Sequence, residues 1–516
     1  MKRIYTVLLC ILPLLAGCNL DLIPENALME RNAFDSETEL AGWANSINLY
    51  MSKSMGDNYA TFIHVGEIMD ETVEDGVRDW SPFMVPNQPA NGWGAEYDII
   101  FLANSLLDNI HLVPNLSEER KNYYLGQAEF ALGFSYYSLA RKFGDAVITL
   151  NSQNRDPYPL SSKEKVIQAA IDHATKAFEL LPVHSMLRDV NGRAITQKQY
   201  GSKGSAATLL AYAYAWQGAM RKYYNMPGDP AEAYTQSVKY ASEVIDGKVG
   251  NYQLCANTEE LVRNLSSRNI ENPEEIFSFV YDKEASEFSK STTPGMFFVR
   301  WPVDKTATLG DMESAEIKVY MSTIRKLYPD PKDTRMQSFF FEHDKRHMVD
   351  NKDLAIVYKW RDAIHEQDEA SETGLSFRSL NANYVYWRLA DLILLRAEAY
   401  AQLGNEAQAT QDLNTIRARA QATPYPSSFD KEKTLQKAIF REREKELIFE
   451  GHRYFDVVRN GYTQTELQGK FAQLTPTEIA NGALYLPIPK SSYIGRDGRV
   501  INPFIRQNAY WAPFVN

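Results

Sequence analysis

Several large classes of protein are excluded by what this chain has little of. Its 516 residues include only three cysteines, Cys10, Cys18 and Cys255. Cys10 falls in an N-terminal leader and Cys18 at its end. That leaves no pair for an intrachain disulfide framework. Cys255 reads as a packed thiol, since no His or Asn context marks it as a nucleophile. There is no run of basic residues, and the formal net charge is -11. Nucleic acid is therefore not expected as a partner, nor is electrostatic binding to a membrane surface. The apolar run at 7–15 is too short to span a bilayer. Gly201-Ser202-Lys203-Gly204 lacks the spacing of a phosphate loop, and no calcium loop matches. His343 and His347 stand four apart, a spacing that suits a metal on one helix face. No third ligand accompanies them, so neither a metal nor a cofactor is expected.

What is present is a globular composition, 44% hydrophobic and 23% charged, and long enough for a large core. The chain opens with an address. Lys2 and Arg3 precede the apolar run, and Leu15-Ala16-Gly17-Cys18 follows it. That order matches a bacterial lipobox, so residues 1–17 read as a lipoprotein signal peptide and Cys18 as the lipidated residue. Acylation of sulfur and amino group together makes a stable anchor, where one chain alone is marginal. Residues 18–30 then form a tether, and 31–516 are expected to be a single domain.

Helical periodicity dominates that domain. In 383–461, Leu389, Leu392, Ile393, Leu395, Ala399, Tyr400 and Leu403 recur at three- and four-residue steps. Gly404-Asn405 ends this helix. A second carries Ala409, Leu413, Ile416 and Ala420, and Pro424 and Pro426 stop it. A third spans about 434–449. Similar amphipathic stretches occur at 33–53, 97–112, 118–143, 163–181, 202–221 and 231–245. The spacing pairs 97–112 with 118–143, 163–181 with 202–221, and 389–403 with 407–420. The 231–245 helix is left to find a partner elsewhere. Paired helices with small contact residues resemble units of a helical repeat. The scaffold is placed mainly at 97–250 and 383–461.

Between these helical parts the pattern breaks. Residues 56–89 are polar, interrupted and aromatic, and read as loop-rich surface. Residues 252–380 read as an irregular insertion, with one short buried strand at Ile276-Phe277-Ser278-Phe279-Val280. Insertions in repeat arrays often form the binding face. The prolines of 483–516 exclude a helix, so this segment is expected to cover the core as an extended tail.

Taken in order, certain motifs resemble the SusD/RagB family of surface lipoproteins. They are Cys18 with Leu20-Asp21 and Pro24, the run GQAEFALGFSYYSLARKFGD at 126–145, and Asn272-Pro273-Glu274-Glu275-Ile276. Arg388-Leu389-Ala390-Asp391, Leu394-Leu395-Arg396-Ala397-Glu398-Ala399, Arg443-Glu444-Lys445-Glu446-Leu447, Glu450-Gly451-His452-Arg453 and Leu486-Pro487-Ile488-Pro489 follow. The resemblance implies a mostly α fold with four tetratricopeptide-like hairpins as scaffold and a large irregular, loop-rich ligand-facing part. It implies no enzymatic activity. It also implies a lipid-anchored protein of the outer membrane, exposed at the cell surface, that captures a glycan for a SusC-like TonB-dependent transporter. One branch of the family resembles a peptide-binding use of the same scaffold.

Sugar capture needs flat aromatic faces beside hydrogen-bonding groups. Trp80 and Trp301, each in a polar loop, are the leading candidates, with Phe298, Tyr59 and Trp360 behind them. Trp93, at a helix start, is assigned to the core. Glu444, Glu446 and Glu450 invite a glycosidase reading, but they lie among Arg and Lys and are read as a solvated, salt-bridged helix face. No catalytic residue is assigned.

Overall fold

The computed structural model describes residues 34–57, 59–88, 92–154, 156–280 and 294–515. The leader, Cys18 and the tether lie outside these. Helix pairs build the scaffold. Helix α1 (Glu37–Asp57) leads into the short α2 (Tyr59–Gly66), and α3 (Gly94–Asn109) returns against α1. Next come α4 (Glu118–Lys142) with α5 (Lys163–Leu180), and α6 (Lys203–Tyr223) with α7 (Pro230–Ile245). After α8 (Thr258–Leu265) and the irregular region, α9 (Leu389–Gln402) pairs with α10 (Glu406–Arg419). Two further helices follow, α11 (Leu435–Glu446) and α12 (Arg453–Arg459).

Local chemistry sets these ends. The Ser117 hydroxyl accepts from Arg120 N, Asp229 from Ala231 N with Pro230 next, and Thr434 from Lys437 N. Ser202 and Ser205 form a reciprocal capping box. Gly133 lets α4 and α5 approach closely. A Cβ there would lie 3.0 Å from Ala174 N.

The pairing differs from the one that spacing suggested. The principal partner of α5 is α4, and that of α6 is α7. The 231–245 helix therefore packs on its immediate predecessor, and also on α9. Periodicity fixes which face of a helix is apolar but not which neighbour covers it. Trp93 and Cys255 are buried, as assigned. Burial pushes the Cys255 thiol up to about 12, which makes it a poor nucleophile.

Two segments depart from expectation more sharply. Residues 56–89 are not a surface loop throughout. Phe62, Ile63 and Val65 of α2 are core residues, and so are Val77, Trp80 and Val85. Nor is α11 a solvated face. Glu442, Arg443 and Glu446 are buried, with Glu444 and Glu450 beside them. Glu446 takes Arg388 at 2.7 Å and Arg335 at 3.4 Å, and also pairs with Arg419. Glu450 takes Arg388 at 2.8 Å and pairs with Lys359. Arg443 bridges Asp391 at 2.7 Å and Asp456 at 2.9 Å. Charge alternation in sequence cannot distinguish this from a wet surface. The difference arises because cations from 335, 359, 388 and 419 converge on one helix.

Small antiparallel sheets shape the irregular region. Strand β1 (Glu71–Thr72) pairs with β3 (Ile317–Lys318). The expected buried strand is β2 (Glu275–Phe279). It pairs with β6 (Tyr384–Arg388), so the intervening residues leave and return at one place. Strands β4 (Ala363–Gln367) and β5 (Leu375–Leu380) make a hairpin. One apolar core extends from Phe34 to Trp511. No helix among the described residues is long and apolar enough to cross a membrane.

Candidate functional site

A cavity of about 570 Å³ opens in the irregular region. Met296 and Phe297 form one wall, and Arg300, Asp304 and Thr306 continue it. Glu316, just before β3, contributes another side. The β4–β5 hairpin supplies Asp368, Ser371, Ser376 and Phe377.

The Phe297 wall is held from behind. Gly295 lies flat against the buried Trp360 ring, and a Cβ there would come 2.8 Å from Trp360 Cδ2. Phe298 packs instead on Phe449, the rings tilted by 31° with centroids 4.3 Å apart. The chain around Phe449 is fixed in turn by Glu67 of α2. Its carboxylate accepts from Phe449 N at 3.1 Å and Gly451 N at 2.8 Å. Lys359, adjoining Trp360, donates to Ile448 O and Glu446 O at 3.1 Å each. The buried ion-pair network thus underlies the cavity.

Histidines buttress both aromatic walls. His64 sits edge-on to Phe297, 5.6 Å between centroids, and bonds Thr72 Oγ1 and Glu316 Oε1 at 3.0 Å each. His365 sits edge-on to Phe377 at 5.8 Å. Lys305 N donates to His365 Nε2 at 3.1 Å, and the same nitrogen lies 3.5 Å from Asp304 Oδ1. Asp304 is committed to its own turn through Thr306 N at 2.8 Å and Thr306 Oγ1 at 2.6 Å. The hairpin tip closes through Asp368 N to Gly374 O at 3.0 Å.

Of the five aromatics picked from sequence, three have no free face. Trp80 is fully buried against Phe471, Trp511 and Tyr454, and its indole N–H donates to Ala483 O at 2.7 Å. Phe298 and Trp360 are also buried and support the cavity wall instead. Trp301 is half-buried, edge-on to Phe341 at 5.4 Å and close to His347 at 5.9 Å. Tyr59 begins α2, and its side chain lies outside the description. Phe297 and Phe377 are the rings that line the cavity, and no sequence pattern singles out either. The Phe297-Phe298 pair could have signalled it, since adjacent residues in an irregular turn seldom share a side. His347 is buried between Trp301 and Phe341. Among the described residues, no group of three or more His, Cys, Asp or Glu is arranged to hold a metal.

Carboxylates in the lining outnumber the one cation, Arg300. With two phenyl faces, hydroxyls and an arginine, the cavity can stack a flat apolar face and bond a polar rim. Its charge disfavours an anionic ligand. These features describe a ligand-sized cavity carried on a scaffold of paired helices.

Comparison with known proteins places the chain. A family model described as "SusD family" matches residues 339–511. A second, "Starch-binding associating with outer membrane", matches residues 20–200. Two SusD-like proteins of Formosa agariphila are similar over most of their length. P2 is 23% identical, covering 77% of this chain and 76% of the relative. P38 is 24% identical, covering 75% of each. A SusD homolog from Bacteroides thetaiotaomicron superposes with a TM-score of 0.73 at 21% identity, over 92% of this chain and 98% of that one. NanU of B. fragilis superposes with a TM-score of 0.68 at 19% identity, over 94% and 99%. The chain belongs to the SusD/RagB family, and its fold is the mostly α fold of that family.

Proposed function

We propose that this protein binds a neutral oligosaccharide in the cavity between the 294–306 segment and the β4–β5 hairpin. It would deliver that ligand to a SusC-like TonB-dependent transporter in the outer membrane. The observation that carries the reading is the lining itself, Phe297 and Phe377 among hydrogen-bonding groups rich in carboxylate. Phenyl rings stack on the apolar faces of pyranose rings, and carboxylates and hydroxyls bond their hydroxyls. The family descriptions, which name starch binding and association with the outer membrane, support the same reading. The protein acts by binding and not by turnover. Glu442, Glu446 and Glu450, the carboxylates that invite a glycosidase reading on and beside α11, are engaged by buried cations. A carboxylate so engaged is poorly placed for acid–base work. Lipidation at Cys18 would hold the protein at the membrane.

The test is calorimetric titration of the purified protein with neutral, uronate-containing and peptide ligands, with Phe297→Ala and Phe377→Ala in parallel. Binding of one neutral glycan class, weakened about tenfold by either change, supports the proposal. Binding that ignores both changes refutes the site. Tighter binding of basic peptides, which the carboxylate excess would also attract, replaces glycan by peptide.

A further inference from the structure

A second cavity, also about 570 Å³, shares no lining residue with the first. It is bounded by the loop between α5 and α6, by residues 250–252, by the end of α8 with the turn after it, and by β2 and β6. Its inner wall is amide-rich. Asn264 and Asn272 are about 5% and 3% exposed, and both clasp Cys255. Asn264 Nδ2 donates to the sulfur at 3.5 Å. Asn272 Oδ1 accepts from Glu274 N at 3.1 Å and from the thiol at 3.7 Å. Each amide uses one end this way. The other ends, Asn264 Oδ1 and Asn272 Nδ2, are buried without a partner, and so is Asn383 Oδ1 on the same cavity.

An unpartnered buried polar atom costs about 1–3 kcal/mol. Natural cores hold few, and these three amide ends, with the Tyr252 hydroxyl also unpartnered on the same lining, call for an explanation. Two acceptors and one donor are what adjacent hydroxyl groups satisfy, because each hydroxyl both donates and accepts. Charge narrows the ligand further. Lys198 and Arg268 share the lining with Glu271 and Glu275, so the cavity has no net demand for an ion. Lys198 already donates to His184 Nδ1 at 3.3 Å, and His184 Nε2 donates to Gln197 O at 3.1 Å, so this histidine is neutral. Burial lowers Lys198 and raises Glu275, in keeping with a site that favours uncharged groups.

We infer that the Asn264–Asn272–Asn383 cavity is a second binding site, for an uncharged polyhydroxylated ligand of one to a few sugar units. This goes beyond the first site and stands without it. Two sites on one molecule hold a long glycan more tightly than either alone, through effective concentration.

The experiment is titration with a panel of neutral disaccharides built on glucose, galactose, mannose and xylose. The protein used carries Phe297→Ala and Phe377→Ala, so the first cavity is silenced. Asn383→Ala and Lys198→Ala are then added singly. Asn383 and Lys198 are both only half-buried, and Gln197→Ala, at an exposed lining position, serves if either fails to fold. Expected is retained binding of at least one disaccharide, weakened tenfold or more by Asn383→Ala. Crystals soaked with that sugar would show it on the three amides. The inference is overturned if no disaccharide binds the silenced protein at 10 mM. It is overturned equally if the amide change leaves affinity unaltered, or if soaked crystals show ordered water only. Failure here with success in the first titration removes the second site alone.

Discussion

Around α11 each buried carboxylate faces a cation, whereas in the cavity beneath the β4–β5 hairpin carboxylates outnumber the single exposed Arg300. Both regions are rich in charge, and in sequence α11 looks the more reactive of the two. It carries Arg441-Glu442-Arg443-Glu444-Lys445-Glu446 in an unbroken run. Yet Arg335, Arg388 and Arg443 are completely buried and fully engaged. The cavity has no comparable motif, and its carboxylates, though held by Thr306, His64 and Ala370 N, face no buried arginine or lysine among the described residues. Pairing separates the two. A desolvated charge must be matched to be tolerated at all, so a matched network describes architecture. Groups left available at a concave surface are the ones that can meet a ligand.

The strongest test of this contrast is removal of one member of the network. Glu446→Ala takes one carboxylate from Arg335, Arg388 and Arg419. Each keeps another partner, in Asp333 and Glu442, in Glu274 and Glu450, and in Glu274 respectively, but the buried cluster is left with one uncompensated positive charge, and about 3–5 kcal/mol of unfolding free energy should be lost. Denaturant titration measures this. A loss below 1 kcal/mol would mean that the network is not what joins α11 to the rest.

Acid should act on the same region. Against the upward push of burial, Arg388 and Lys359 hold Glu450 down to about 2. Arg443 and Arg459 likewise hold Asp456 to about 2. Depressed folded values give stability that is present above the ordinary carboxylate values of 4.5 and 3.8 and lost as pH falls toward 2. The loss should be about 3 kcal/mol for Glu450 and about 2 kcal/mol for Asp456. Glu67, clamping Phe449 and Gly451 behind the cavity, has the opposite sign. Burial raises it to about 7, only partly offset by those two N–H groups and by Arg453. Its contribution is complete below 4.5 and disappears as pH rises through 7. Stability curves against pH for the native protein and for Glu67→Gln should differ in slope between pH 5 and 8. Identical slopes would sink that assignment.

Trp80→Phe is a sharper comparison with a smaller effect. It deletes the bond to Ala483 O and part of the packing on Trp511 and Phe471. Expected is a loss on the order of 1–2 kcal/mol with glycan affinity unchanged. A weakened affinity at unchanged stability would return Trp80 to the ligand site. Smallest in stability terms is Phe377→Ala, on a half-buried hairpin strand. Thermal unfolding should hardly shift, while affinity falls about tenfold, or 1.4 kcal/mol.

How far each region was legible follows from the range of the interactions that decide it. The helices announce themselves because the i, i+3, i+4 pattern is local, and the caps at Ser117, Ser202, Asp229 and Thr434 are local too. The burial of Trp80 is not legible, for the converse reason. Its neighbours Arg78, Asp79 and Ser81 are polar, and the group that receives its N–H lies 403 residues away. The Phe297–Phe298 dipeptide was located, but which ring meets solvent depends on Trp360, Phe449 and His64.

The sequence alone therefore determined the mostly α scaffold. It also placed Trp93 and Cys255 inside, and its motif order carried the family. Each of these rests on short-range periodicity, capping or the order of motifs. Only the tertiary structure decided which helices pair, that α11 is a buried ionic core, and that Phe297 and Phe377 line a common cavity. Burial is a property of what folds over a residue. For Glu446 those covering groups come from 335, 388 and 419, and no local pattern encodes their arrival.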